Sequence, residues 1–348
     1  MRIAHLILTH KNPAQLERLI DAISHPAFDF YIHLDKKVDK RPFRYLAEKK
    51  NVFFIANRAT VYWAGYGTIQ ATINGFKEIL EKESYDYINV LSAQDFPLKP
   101  PTEIYNYIAS RKGAEFITCE SIEDEWITAA PRVLKYHLVN FSFPGKYRLE
   151  NLINRITGPR KFPIPDFKIV GRSNWFTITA NAASYMLEFL DKNPRISRYF
   201  KFCWGGDEFI FASALYNSHF RDRITENLMY VDWTGQTQGH PRILLSSDLP
   251  VMLASGKLFA RKMDMFVDND LLLELEDLLN IRPERTTGDK SDSQKDHTHS
   301  PPQQNIQSFT QKGPLPKSIA AQPHHKSQPI TISHLIPHTL PIPTHPRN

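Results

Sequence analysis

The sequence predicts an α/β protein with a mainly parallel central sheet flanked by helices, on three observations. Short apolar runs recur at residues 2–8, 29–34, 52–55 and 87–91, the near-continuous hydrophobicity of strands covered on both faces. Segments of helical period separate them. The runs end in polar residues, Thr9-His10, Asp35 and Gln94-Asp95, which places these groups at the strand ends where open α/β sheets bind ligands.

In chain order, Asn12 and Pro13 follow the first run and open a helix whose inner face is Leu16, Leu19, Ile20 and Ile23. The third run leads to a turn-rich Trp63-Ala64-Gly65-Tyr66-Gly67. From Thr68, the positions Ile69, Ile73, Phe76 and Leu80 predict another helix. The fourth run passes into Ser92-Ala93-Gln94-Asp95-Phe96-Pro97-Leu98, where Phe96-Pro97-Leu98 also reads as a plain strand-exit turn. Residues 127–167 are basic and aromatic, with Arg132, Lys135, Tyr136, Lys146, Tyr147 and Arg148, and are expected to form a substrate-facing insertion. Neither GxGxxG after the first strand nor a Walker A pattern occurs, so a nicotinamide-type fingerprint and a P-loop are excluded.

Composition changes near residue 284. Ten of the 25 prolines and seven of the 14 histidines lie beyond it, among Ser, Thr and Gln with few aromatics. Such a segment buries too little apolar surface to offset its ordering entropy, so residues 284–348 are expected to be a disordered tail and 1–283 the folded domain. The tail histidines are irregular and interleaved with proline, a poor pattern for metal. The net charge of +6 divides evenly: seven basic residues against four acids in the tail, 36 against 33 in the body. That mixed surface argues against nucleic acid as a partner. Cys119 and Cys203 are the only cysteines and have no CxxC neighbour, which suits a reducing compartment. The first ten residues are too short an apolar run for a signal peptide, and no stretch approaches the roughly 20 apolar residues of a membrane span.

Three blocks carry the chemistry. Trp204-Gly205-Gly206-Asp207-Glu208 precedes the apolar Phe209-Ile210-Phe211-Ala212, which predicts two carboxylates in a first helical turn. The helix dipole alone would stabilise acids there; one of them could equally serve as a base. Tyr230-Val231-Asp232-Trp233 offers an aromatic surface, although tryptophans are more often core. Leu258-Phe259-Ala260-Arg261-Lys262 supplies a basic pair, either for phosphate or as ordinary surface charge. Asp268-Asn269-Asp270 has the spacing of a metal-binding acid pair but stands before Leu271-Leu272-Leu273, where it reads as an N-cap.

Together the blocks resemble the core-2/I-branching glycosyltransferase family (glycosyltransferase family 14), which includes branching N-acetylglucosaminyltransferases and peptide O-xylosyltransferases. The likeness covers most of residues 1–283 and implies a GT-A-type nucleotide-sugar fold with inverting, metal-independent sugar transfer. It implies Glu208 as general base, with Asp207 orienting the loop, and Arg242 and Lys262 on the donor diphosphate in place of a metal. It further implies Asp35, Trp63 and Asp95 at the nucleotide, and Trp233 and Trp175 at the acceptor. Arg132 and Lys135 are expected as acceptor or donor contacts. The expected partners are a UDP-sugar donor and a carbohydrate or glycoconjugate acceptor, with no cofactor. N-acetylglucosamine is the expected sugar and xylose the alternative; a non-catalytic glycan- or nucleotide-binding module is the reading from another class. Gly235 replaces a ring-bearing residue of the branching enzymes, which sets their disaccharide acceptor in question. Eukaryotic relatives are anchored by a membrane span. A bacterial-type member is therefore expected here, cytoplasmic or peripherally attached at the inner face of the membrane.

Overall fold

Strand β1 (Ile3–Thr9) sends alternate side chains to opposite faces, and both faces are covered. Ala4 and Leu6 enter one core with Ile69, Phe76, Phe176 and Phe211; Ile3 and Ile7 enter the other with Leu16, Leu19, Phe96 and Phe259. The computed structural model describes residues 1–236 and 239–280. The expected boundary at 283 and the tail beyond it lie outside the described residues.

β1 pairs in parallel with β2 (Phe28–Leu34) on one side, and β2 in turn with β3 (Val52–Phe54). On its other side β1 pairs with β4 (Tyr87–Ser92), also in parallel. The register sets Thr9 beside Leu34 and Leu8 beside Ser92, so three carboxyl ends emerge at one edge. Helix α1 (Pro13–Ala22) opens as its sequence predicts: the Asn12 side chain accepts from Gln15 N at 3.2 Å, with Pro13 in the first turn. Helix α2 (Gly67–Lys82) buries Ile69, Ile73, Phe76 and Ile79.

Beyond β4 the chain forms β5 (Asp95–Pro97), α3 (Pro101–Ala109), β6 (Glu115–Phe116) and β7 (Glu120–Ser121). Then come α4 (Ala130–Leu134), α5 (Lys146–Thr157), β8 (Val170–Gly171), β9 (Phe176–Thr179), α6 (Ala180–Lys192) and α7 (Pro194–Phe200). The last elements are α8 (Ile210–Tyr216), β10 (Ile224–Thr225), β11 (Met229–Val231), α9 (Leu249–Ala254), β12 (Phe259–Arg261) and α10 (Asn269–Leu278). The main sheet runs β10-β6-β9-β4-β1-β2-β3, parallel except where β9 meets β4 and β6. A small second sheet, β11-β12-β5, sets Arg261 opposite Asp95.

Two expectations are corrected. Asp207 and Glu208 are not in the first turn of α8: they occupy a separate 3₁₀ turn, Gly206–Glu208, and Phe209 at φ −120° breaks the chain before α8 begins. Gly205, at φ +62°, turns the backbone into it. Residues 127–167 do not line the cavity at the strand ends either; Arg132, on α4, reaches Glu208 of that cavity.

Candidate active site

The carboxyl ends of β1, β2 and β4 open into a cavity of about 660 Å³. Thr9 and His10, Asp35, and Ser92 with Gln94 line it from those ends; Glu120, Arg172, Trp175, Trp204, Glu208 and Trp233 face them. The ligand edge is therefore where the strand ends predict it. Of the expected site residues, Asp35, Trp63, Trp175, Glu208, Trp233 and Lys262 line this cavity; Asp95, Arg132, Lys135 and Arg242 do not.

Glu208 owes its place to glycine. Gly171 runs so close that a Cβ there would stand 2.1 Å from the Glu208 carbonyl oxygen, and Arg172 N donates to that oxygen at 3.1 Å. Arg132 Nη2 meets Glu208 Oε2 at 2.8 Å from behind the cavity. A Cβ on Gly205 would stand 2.3 Å from that same nitrogen, so the glycine supplies both the turn and the room. The Arg132 guanidinium is packed over Trp126, Trp204 and Phe209 at 4.5–5.1 Å. It pairs with the Glu208 carboxylate and does not itself line the cavity. Burial pushes the Glu208 carboxyl up to about 7, against the pull of Arg132 and with a smaller push from Asp207. Burial also lifts Asp207 to about 6.

Cations line the same cavity. Lys262 lines the cavity, and burial, then the charges of Arg261 and Lys11, depress its ammonium below the usual lysine range. His10 is lowered too, by burial first and then Lys11, with Lys262 and Lys37 adding to it. These groups repel one another. An arriving anion would relieve that. Lys11 is neutralised by Asp264 at 2.6 Å. Arg261 is held at 3.1 Å by Asp95 and lies 4.3 Å from the Trp175 ring centroid.

That pairing corrects the reading of Asp95. It is fully buried beneath the cavity, accepts from Ser92 N at 2.7 Å, and burial raises it to about 6. It anchors Arg261 and makes no cavity wall. Arg242 lies between Asp232 and Asp248, each at 2.6 Å, and is not among the residues that line the cavity, though His240 and Pro241 beside it are. Lys135, just past the end of α4, is exposed and does not line the cavity. Asp268 is an N-cap, accepting from Leu271 N at 2.9 Å and from Ser246. Among the described residues no cluster of three or more His, Cys, Asp or Glu side chains is arranged to hold a metal ion.

Elsewhere in the cavity, Asp35 accepts from Lys37 N at 3.0 Å and Val61 N at 3.4 Å, and Trp63 stands edge-on to Trp204 at 5.0 Å, its ring largely exposed. Asn174 escaped the sequence reading as a site residue. It is buried and lines the cavity, yet neither its Oδ1 nor its Nδ2 has a partner among the described residues. A buried carboxamide without partners costs stability unless a ligand completes it, and no sequence signal reveals that vacancy.

One strand-end cavity thus holds the buried carboxylate of Glu208 together with Arg261 and Lys262. Comparison with known proteins gives the class. The Core-2/I-Branching enzyme family model matches residues 3–249, and the chain belongs to that family. It is 22% identical to Xylosyltransferase oxt of Drosophila pseudoobscura pseudoobscura, over 80% of this chain and 33% of that protein. To rat Xylosyltransferase 2 it is 24% identical, over 67% of this chain and 27% of the relative. With zebrafish beta-1,3-galactosyl-O-glycosyl-glycoprotein beta-1,6-N-acetylglucosaminyltransferase 4 it shares 23% identity, over 80% of this chain and 69% of that one. The chain thus spans about a third of the length of the xylosyltransferases it matches. Among the described residues no helix is long and apolar enough to cross a membrane.

Proposed function

We propose that the chain is an inverting, metal-independent glycosyltransferase that carries N-acetylglucosamine from a UDP-sugar to a carbohydrate hydroxyl. One observation carries the reading: a cavity-lining carboxylate is lifted to about 7, where it can accept a hydroxyl proton near neutral pH. The acceptor oxygen loses its proton to Glu208 and attacks the anomeric carbon opposite the diphosphate. The bond from that carbon to the diphosphate oxygen then breaks, and UDP leaves with the electron pair. No covalent intermediate forms, so one base suffices.

Lys262 and the neighbouring Arg261 meet the departing diphosphate, fixed cations in place of a metal ion. Asp35 and Trp63 serve the nucleotide, the indole by stacking on the base. Trp233 and Trp175 flank the acceptor, and the unpartnered Asn174 amide takes sugar hydroxyls. Xylose is the second reading for the donor, supported by the xylosyltransferase relatives.

A panel of UDP-sugars in excess EDTA tests this, scored by calorimetry and by hydrolysis. UDP-N-acetylglucosamine should bind tightest and turn over. Tightest binding of UDP-xylose would select the second reading, and binding without any turnover the non-catalytic module. Binding or turnover only after manganese is restored would overturn the metal-free assignment.

A further inference from the structure

Helix α5 faces the solvent with its apolar side. Its ties to the body are polar: Glu150 accepts from Leu138 N at 2.7 Å, and Asn154 exchanges hydrogen bonds with the Tyr136 backbone at 2.7 and 2.8 Å. Leu149, Leu152 and Ile156, spaced three and four apart, share one helix face and are 43, 53 and 74% exposed. Exposed Phe141 and Phe143 lead into the helix. No residue of α5 is buried. An ordinary surface helix is mounted the other way round, with such a stripe against the core.

The charge around the stripe is one-sided. Residues 127–165 carry seven Lys and Arg and a single acid, Glu150, which points inward to Leu138 and His137. Arg132 is engaged with Glu208 and Arg160 is buried, which leaves Lys135, Lys146, Arg148, Arg155 and Lys161 around the patch. A second copy of this chain would present the same positive charge, and like charges oppose that pairing. An apolar stripe bordered by cations matches a bilayer surface, where Leu and Ile enter the headgroup boundary and Lys and Arg meet anionic headgroups.

We infer that residues 141–161, with α5 at their centre, dock the protein on an anionic lipid bilayer. The surface is separate from the transfer site, and its test needs no turnover. The full chain is sedimented with vesicles of phosphatidylcholine alone and of phosphatidylcholine mixed equally with phosphatidylglycerol. It should bind the mixed vesicles, release as salt rises, and leave the neutral vesicles largely free. Leu152→Ser with Ile156→Ser should weaken partition about tenfold or more, and Arg148→Gln with Arg155→Gln about fivefold per charge. All four side chains are exposed, so melting temperatures should stay unchanged. Partition that survives the serine variant would place lipid contact elsewhere in the chain and overturn the inference. Equal binding to neutral vesicles would do so as well. A dimer in the ultracentrifuge that the serine pair dissociates would assign the face to a second copy instead.

Discussion

Glu208→Gln should make the protein more stable while nearly abolishing its activity. The carboxyl rises from 4.5 to about 7 because burial penalises its charged form more than Arg132 favours it. A folded-state value above the unfolded one has a definite sign. Below 4.5 both states hold the proton and nothing is lost; as pH rises toward 7 the folded state loses stability, and above 7 the full penalty stands. At about 1.4 kcal/mol per pH unit, the penalty is about 3 kcal/mol. The side chain keeps 20% of its surface in water. Solvent screening should bring the measured gain nearer to about 1–2 kcal/mol. Glutamine mimics the protonated carboxyl and escapes the penalty at any pH. Denaturant melts of both proteins from about pH 4 to about pH 8 should diverge in favour of the variant as pH rises. Its initial rate should fall on the order of 10²–10⁴-fold, with UDP-sugar affinity retained because Arg261 and Lys262 are themselves unchanged. A variant less stable at alkaline pH would refute the burial argument, and near-normal turnover would remove Glu208 from the chemistry.

Arg132→Met removes the cation that holds Glu208 down, so the acid limb of kcat/KM should move to higher pH and turnover should recover in alkaline buffer; a merely structural role would lower the rate without moving the limb. Asp95→Ala leaves the buried Arg261 guanidinium without its carboxylate and should cost about 3–5 kcal/mol in a denaturant melt. An unchanged midpoint there would mean that Arg261 finds another partner.

The strand runs, the capped helix α1 and the ligand edge were legible because each depends on local period and on the parallel order that local period implies. The block around Glu208 was singled out by its own residues, and Glu208 lines the cavity. The pairings were not. Asp95 and Arg261 are neighbours only because β5 and β12 lie antiparallel, a register that no sequence window reports. Arg242 has the right residue type in the right block, yet Asp232 and Asp248 hold it. Arg132 was expected to touch substrate, and its pairing with Glu208 was not foreseen, since its path there runs through the space that Gly205 leaves open. Side-chain partnership between distant segments separates these cases from the legible ones.

The strand β12 closes the body like a clasp. It runs between β5, which leaves the central sheet directly, and β11, and it delivers Arg261 and Lys262 to the cavity. The stretch that matches the family model ends at residue 249, before this strand begins. A fragment trimmed to that stretch would keep Glu208, Asp35, Trp175 and Trp233. It would also expose two raw strand edges, strand templates open to pairing with other chains, and leave Asp95 buried with no cation to answer it. Such a fragment would tend to aggregate before it could be assayed, and its silence would say nothing about the base.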